Sequence, residues 1–354
     1  MSIQLGTHVI GEGSPPFIVA ELSANHNGSL ERALRIVEAC AAAGAHAVKL
    51  QTYTADTMTL DVAGDAFRIG DPASPWHGET LHSLYAKAHT PREWHEVIFR
   101  RAAELGMLAF SSPFDVTAVD FLETLHVPAY KIASFEITDL ALIRRAAATR
   151  KPLIISTGLA SIDEIGEAVA AAQDSGSGDI ILLKCTSTYP AAPADSNLRT
   201  IPDLRARFGC EVGLSDHTPG IGAAVAAVAF GAVLIEKHVT LSRQDGGADA
   251  AFSLEPAEFT LLVTETAAAA AALGRVSYGP GDSEQGSLVF RRSLYITRDL
   301  QPGDVLTTDN LRAIRPGFGL RPRHLPELLG RRVNREVKRG TPAAWDLVDR
   351  DPRS

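Results

Sequence analysis

The chain has 354 residues, 45% of them hydrophobic and 21% charged, with a formal net charge of −8. That is an ordinary globular composition with ample core for one large domain and a small one. The acidic balance and the lack of a long basic tract argue against nucleic acid as a partner, so an anionic substrate would have to find local cations. Three cysteines, Cys40, Cys185 and Cys210, show no metal-type spacing and read as reduced thiols of a cytoplasmic protein. No charged and then apolar leader opens the chain, and no apolar run approaches the ~20 residues of a membrane span; the expectation is a soluble protein without a membrane partner.

In chain order, PFIVAELS (16–23) reads as a strand, and Ser29 N-caps a helix over LERALRIVEACAAAG that Gly44 ends. AHAVKLQTYT (45–54) is the second strand. From Ala55 to about His89 no regular period runs. This stretch, with Trp76 and Tyr85, is too long for a routine connection and is expected to be a lid or substrate loop with a short helix. Pro91 fits the first turn of a helix through Leu105, and GMLAFSSPF (106–114) is the third strand. Asp115 caps VTAVDFLETL, and VPAYKIASFE (127–136) is the fourth strand. DLALIRRAAATR is helical and KPLIISTG (151–158) is the fifth strand. Ser161 and Glu164 form a capping box for IDEIGEAVAAAQDSG, ahead of DIILLKCTSTYP (179–190). A helix around NLRTIPDLRARFG leads to EVGLSDH, an Ala-rich helix between Pro219 and Gly231, and AVLIEKH. EPAEFTLLVTETAAAAAALG closes the series.

Eight strands alternating with helices are the order of an α/β (β/α)8 TIM barrel, predicted over residues 1–274. The competing open doubly wound sheet lacks a GxGxxG after its first strand. SYGPGDSEQGS reads as a linker within 275–290, followed by a small β-rich domain over 291–354. At that size its core is marginal, so it is expected to lean on the barrel or on another subunit.

In such folds the C-terminal strand ends open onto the site. His217 and His238 occupy equivalent places on neighbouring strands. Each stands beside an acid, Asp216 or Glu236, and together the imidazoles suit a divalent metal with positions left for water or substrate. The plainer alternative is that each merely caps its strand through a hydrogen bond. The other strand ends offer Glu21, Asn25, His26, Lys49, Gln51, Ser111, Ser112, Lys131, Ser134, Ser156, Thr157, Lys184, Thr186, Ser187 and Ser215. Any one alone could be a hydrogen-bonded strand end. As a set, cations flanked by hydroxyls and amide N–H groups are what a phosphorylated anion requires. Lys184 is the exception, since its place before Cys185 allows it to point out of the barrel. Glu21 could orient or deprotonate a water, or simply pair with Lys49. A metal beside an anion cradle suggests chemistry between an anionic donor and a polarised carbonyl.

A family likeness joins these residues. AELSANHNGSL, VKLQTY, FSSPF, AYKIAS, STG, CTSTYP, GLSDH and IEKH resemble, in that order, the sialic acid synthase family of phosphoenolpyruvate-dependent sugar-condensing enzymes. SLYITRDLQPGDVLTTDNLRAIRPGFGL is similar to that family's antifreeze-like SAF domain, a β-clip, and the likeness spans roughly 16–350. Within the family, ELSANH, the TYT-D-TL pattern at 52–60, WHGETLHSLYAKAHTPREWH, KIASFE, LKCTSTYP and RPGFGLRP resemble the pseudaminic acid branch. The N-acetylneuraminate branch more often has Asn where this chain has Ser187; a legionaminate synthase would run the same chemistry on another hexose.

The resemblance implies a C–C bond-forming transferase that condenses phosphoenolpyruvate with an amino-hexose, 2,4-diacetamido-2,4,6-trideoxy-altrose, and releases phosphate. It implies that His217 and His238 hold Mn2+ or Mg2+ (Co2+ or Zn2+ would also suit such ligands), polarising the sugar aldehyde. Lys49, Ser112, Lys131, Ser134, Ser156 and Ser215 would bind phosphoenolpyruvate, and Ser112 stands where the sialic acid branch has Thr. Glu21 would position the water. Asn25, Gln51, Ser187, Tyr189 and Asp249 would meet the sugar, with Arg315 reaching it from the other subunit of a domain-swapped homodimer. Without that likeness Arg315 reads as a surface salt bridge. Two rivals from other classes are a Schiff-base aldolase using Lys131 or Lys184, and a non-catalytic sugar- or ice-binding protein built around the tail.

Overall fold

The computed structural model of the protein describes residues 2–71 and 76–349. Residues 72–75 of the long loop and 350–354 of the tail lie outside the described residues. The chain divides into two compact units, the first ending at Gly274 and the second beginning at Arg275.

The first unit opens with a hairpin that the sequence reading left out. Strands β1 (Ser2–Leu5) and β2 (His8–Gly11) pair antiparallel, with Leu5 opposite His8 across Gly6 and Thr7. Ile3 and Leu5 alternate with Ser2 and Gln4 and are buried, as is Ile10 opposite Ile3, while Gly6 takes a φ of 57° in the turn. The period-2 signal was there in SIQLGTHVIG, although each strand has only four residues.

Eight parallel strands then close on themselves: β3 (Phe17–Glu21), β4 (Ala47–Thr52), β5 (Leu108–Pro113), β6 (Tyr130–Ile132), β7 (Leu153–Ser156), β8 (Ile180–Cys185), β9 (Glu211–Asp216) and β10 (Leu234–His238). Pairing of β10 with β3 seals the ring and puts His238 directly beside Glu21. This is the TIM barrel. Its strands are apolar on both faces because one side meets the barrel interior and the other the helices. At Gly213 the chain passes so close to its neighbour that a Cβ would lie 2.3 Å from the Leu234 carbonyl oxygen.

The helices are α1 (Leu30–Ala42), α2 (Ala55–Met58), α3 (Leu81–Ala88), α4 (Arg92–Glu104), α5 (Val116–Thr124), α6 (Leu140–Ala147), α7 (Ile162–Asp174), α8 (Thr200–Phe208), α9 (Gly222–Ala229) and α10 (Pro256–Leu273). Local chemistry starts several of them: Ser29 accepts from Arg32 N, Asp115 from Thr117 N and Ala118 N, and Ser161 and Glu164 form their reciprocal box. Pro91 stands at the cap of α4 rather than within its first turn. All six strands given ranges from the sequence are shorter in the structure, the fourth and sixth by most. The fourth yields after Ile132 to a 3-10 turn over Ser134–Glu136, and the sixth ends at Cys185. In both, the polar residues past the strand leave the sheet to line the mouth. The long loop holds two helices, α2 and α3, where one was expected.

The second unit has its own apolar cluster, with Leu294, Ile296, Leu311, Val333 and Val337 at its centre. Strands β11 (Ser293–Ile296) and β12 (Leu311–Ile314) pair antiparallel, single bridges link Leu300 to Val337 and Val305 to Arg332, and α11 (Leu325–Leu328) completes it. The expected linker is partly ordered. Asp282–Phe290 forms a 3-10 helix whose end accepts at Val289 O from Gly317 N, 2.9 Å away.

Candidate active site

Strand alternation decides which polar residues share the barrel interior. On β9 and β10, Ser215, His217, Glu236 and His238 fall on one face, Asp216 and Lys237 on the other. The interior group converges on Glu236. Its Oε1 accepts from Ser215 Oγ at 2.9 Å and faces Lys131 Nζ at 3.2 Å, while Oε2 lies 3.6 Å from Lys49 Nζ. Lys49 also meets Glu21 Oε2 at 2.7 Å and donates to Ser112 Oγ at 3.2 Å; Gln51 Nε2 donates to Glu21 Oε1 at 2.9 Å. All of these except Gln51 are buried.

The charges respond to one another. Burial alone would raise the Glu236 carboxyl, but the ammoniums of Lys131 and Lys49 bring it down to about 2. Burial opposes the charge on Lys49 as well, yet Glu21 and Glu236 hold it above the usual lysine value. Lys131, with one carboxylate in contact, is pulled below that value by burial. At the rim, burial raises Glu136 to about 7 and leaves its Oε2 without a hydrogen-bond partner. Ser156 Oγ is also buried and unpartnered. Next to it, a Cβ on Gly158 would come within 2.7 Å of Ser134 Oγ and closer still to Ser187 Oγ, so this glycine keeps open the space between two hydroxyls.

The two imidazoles meet, with ring centroids 5.3 Å apart and relative exposures of 6% and 8%. His217 Nδ1 donates to Thr186 O at 2.9 Å, which leaves Nε2 for a proton or a metal; burial opposes the charge, yet Cys185 and the Thr186 carbonyl hold the ring's pKa above the usual histidine value, so a metal at Nε2 would displace a proton. Cys185 Sγ lies 3.9 Å from the same Nδ1; burial would raise this thiol, but His217 draws it down to about 7. His238 is driven far below the ordinary histidine range by burial, aided by the charges of His217, Lys49 and Lys131, and its Nδ1 is buried with no hydrogen-bond partner. A neutral ring with an orphaned nitrogen beside a ring with one that can give up its proton is a donor set that fits a divalent ion. Among the described residues no group of three or more His, Cys, Asp and Glu converges as a complete cage, so two imidazoles would leave the remaining positions to water and substrate.

The acids beside the histidines do other work than predicted. Asp216 pairs with Lys237 at 2.6 Å on the outer face, and Glu236 serves the lysines and Ser215. Neither orients an imidazole, because adjacent residues on a strand point to opposite faces and Glu236 lies one pleat below His238. Lys184 is on the outer face too, its Nζ donating to Cys185 O at 2.7 Å. Ser111 joins an outer network with Thr52 and His95. Asn25, expected at the sugar, has no accessible surface: Nδ2 donates to Val239 O at 2.7 Å and Ser253 Oγ at 2.8 Å, making it a brace in the wall. His26 is buried against Trp94 and lowered to about 4, again chiefly by burial.

Asp249 is half-buried against Ser23 Oγ, and loss of solvent around its carboxyl raises it to about 6. Tyr189 stacks at a tilt on His217, with centroids 4.3 Å apart. Arg315 lies in the second unit, exposed on the loop leaving β12, and forms no ion pair among the described residues. The residue missing from the predicted site is Glu236. Its signal was the spacing E-x-H on a strand, which places it on the same face as His238.

A closed (β/α)8 barrel whose strand ends hold two buried ammoniums, a ring of hydroxyls and an imidazole pair defines a class: a barrel enzyme built to receive a small anion beside a polarised group. Residues 36–278 match the NeuB family and residues 291–349 the SAF domain. The chain belongs to the NeuB family and is an enzyme of that family's condensing type, a nonulosonic acid synthase. It is 43% identical over 324 residues to a pseudaminic acid synthase of Campylobacter jejuni, covering 92% of this chain and 94% of that one. It is 42% identical over 338 residues to a pseudaminic acid synthase of Helicobacter pylori, covering 95% and 98%. A crystal structure of N-acetylneuraminic acid synthetase from Leptospira borgpetersenii, in complex with citrate, superposes with a TM-score of 0.72 at 34% identity, covering 81% of this chain and 95% of that one.

Proposed function

We propose that the chain is a pseudaminic acid synthase, condensing phosphoenolpyruvate with 2,4-diacetamido-2,4,6-trideoxy-altrose to give the nine-carbon keto acid and phosphate. The observation that carries this is the Glu236 hub. It holds Lys49 and Lys131 as buried cations, surrounded by Ser112, Ser134, Ser156 and Ser215, next to the His217–His238 pair. The greater similarity to the pseudaminic acid synthases than to the neuraminic acid synthetase supports the choice of hexose.

In this reading Lys49, Lys131 and the hydroxyls bind the phosphate and carboxylate of the donor and hold its C3 toward the aldehyde. A divalent ion, Mn2+ or Mg2+, bound by His217 and His238 supplies Lewis-acid polarisation of that aldehyde. Glu21, bordering His238 across the seam, orients the water that adds at C2, and Gln51 keeps its carboxylate in place. Gln51, Ser187, Tyr189 and Asp249 line the sugar's side. Asp249, at about 6, is protonated in mildly acidic buffer, where it can donate to a sugar oxygen.

The active form in this proposal is a homodimer in which Arg315 of one copy completes the site of the other. The cytoplasm is the proposed compartment, on three free, buried cysteines; no helix among the described residues is long and apolar enough to cross a membrane.

The test is incubation with phosphoenolpyruvate, Mn2+ and each candidate hexose, with the product identified by mass and NMR. Phosphate release with the altrose substrate is expected to need both donor and metal. Metal-independent trapping of pyruvate by borohydride would replace the proposal with an aldolase. Deleting residues 285–354 is expected to remove activity from a folded barrel, and a fully active truncated chain would end the cross-subunit role of Arg315.

A further inference from the structure

The two imidazoles are held by different means. His217 has an orienting hydrogen bond to a backbone carbonyl; His238, with Nδ1 buried and unpartnered, has none. A metal-binding histidine without such a partner still needs its ring fixed, because an imidazole free to turn about its side-chain bonds presents its nitrogen in the right direction only part of the time. What His238 does have is an aromatic wall. The Phe252 ring meets it nearly edge to face, with centroids 4.9 Å apart and planes at 71°. Phe252 also packs at 5.3 Å from Tyr189, which in turn covers His217 at 4.3 Å.

The segment carrying Phe252 is itself fixed to the strand that carries His238. Leu254 N donates to His238 O at 2.9 Å, and Thr240 N donates to Leu254 O at 2.9 Å, a parallel bridge running on from β10. Ser253 Oγ receives Asn25 Nδ2 at 2.8 Å and donates to Asp249 O at 2.6 Å. Phe252 is therefore a fixed surface, 5% exposed, rather than a loose loop side chain.

We propose that Phe252 is the positioning residue for His238, setting the direction of its metal-binding nitrogen by ring packing where other ligands use a hydrogen bond. This rests on the reading of His217 and His238 as metal ligands.

Mn2+ alone serves as the probe, its binding to the full-length protein followed by electron paramagnetic resonance and titration calorimetry without substrates. Phe252→Ala is expected to weaken Mn2+ about ten-fold or more, the loss typical of removing a ligand's orienting partner. Phe252→Leu, which keeps much of the contact, is expected to stay within about threefold of the parent; it also guards against a fold defect in the smaller variant. The 15N signals of His238 in the metal-free protein are expected to be sharp in the parent and averaged in Phe252→Ala. His238→Ala separates the two layers. If it binds Mn2+ as the parent does, the ligand reading and this inference fall together. If it loses Mn2+ while Phe252→Ala binds normally, the positioning role alone is overturned.

Discussion

Strands β9 and β10 carry two buried ion-pair systems a single residue apart, and they are built to opposite ends. On the outer face Lys237 is closed off: Nζ donates to Asp216 Oδ2 at 2.6 Å and to Thr218 O at 2.6 Å, and Asp216 Oδ1 accepts from Thr218 N at 2.9 Å. On the inner face one carboxylate, Glu236, is shared by Lys49 and Lys131, Ser156 Oγ has no partner, and neither does His238 Nδ1. Burial is equal on the two faces, so burial is not what marks function. What differs is satisfaction of the charged groups and the imidazole: Lys237 and Asp216 are paired with each other and with Thr218, whereas the inner set keeps an unpartnered hydroxyl and an unpartnered ring nitrogen, which the proposed donor and metal would engage.

Three substitutions test that contrast. Glu236→Gln, nearly isosteric, leaves two buried ammoniums with only Glu21 between them. It is expected to lower kcat/KM for phosphoenolpyruvate by about 100-fold or more, since an uncompensated buried charge costs about 3–5 kcal/mol. Phosphate release measures this, and activity within about tenfold of the parent would show that the lysines keep their places unaided.

On the outer face, Lys237→Met should do the reverse. Removing one partner of the closed pair is expected to destabilise the fold by about 3 kcal/mol in urea unfolding, while kcat of the folded enzyme stays within about twofold. A large fall in kcat without loss of stability would tie the outer pair to the chemistry.

The smallest effect concerns Glu136 at the rim. Its carboxyl, near 4.5 in an unfolded chain, sits at about 7 in the fold because burial disfavours the charge. A raised folded value means the protonated form is favoured by folding. That contribution is fully present below about 4.5 and is lost as pH rises through about 7. Between pH 5 and 8 the parent is expected to lose about 2 kcal/mol more stability than Glu136→Gln, at roughly 1.4 kcal/mol per pH unit over the range where the proton is lost. Identical pH slopes for the two proteins would show that Glu136 is ionised throughout.

Much of this molecule was written locally. The alternation of apolar strand and capped helix specified eight units, and Ser29, Asp115 and Ser161 marked where helices begin because capping is decided within three or four residues. The same period placed Lys49, Lys131, Ser215, His217 and His238 at strand ends on the mouth side. Side-chain direction followed from alternation alone, so the outward turn of Lys184 and the inward turn of Glu236 were within reach of the sequence. The register at the seam was not: the strand count implied a closed barrel, but that His238 borders Glu21 depends on how β10 pairs with β3, a contact between the two ends of the barrel. Only the tertiary structure set Asp216 against Lys237 instead of a histidine, buried Asn25 as a brace and seated Phe252 on His238. Periodicity and caps are short-range and survive in the sequence as pattern, whereas which polar atoms find partners depends on distances across the ring, fixed only when all eight strands have closed.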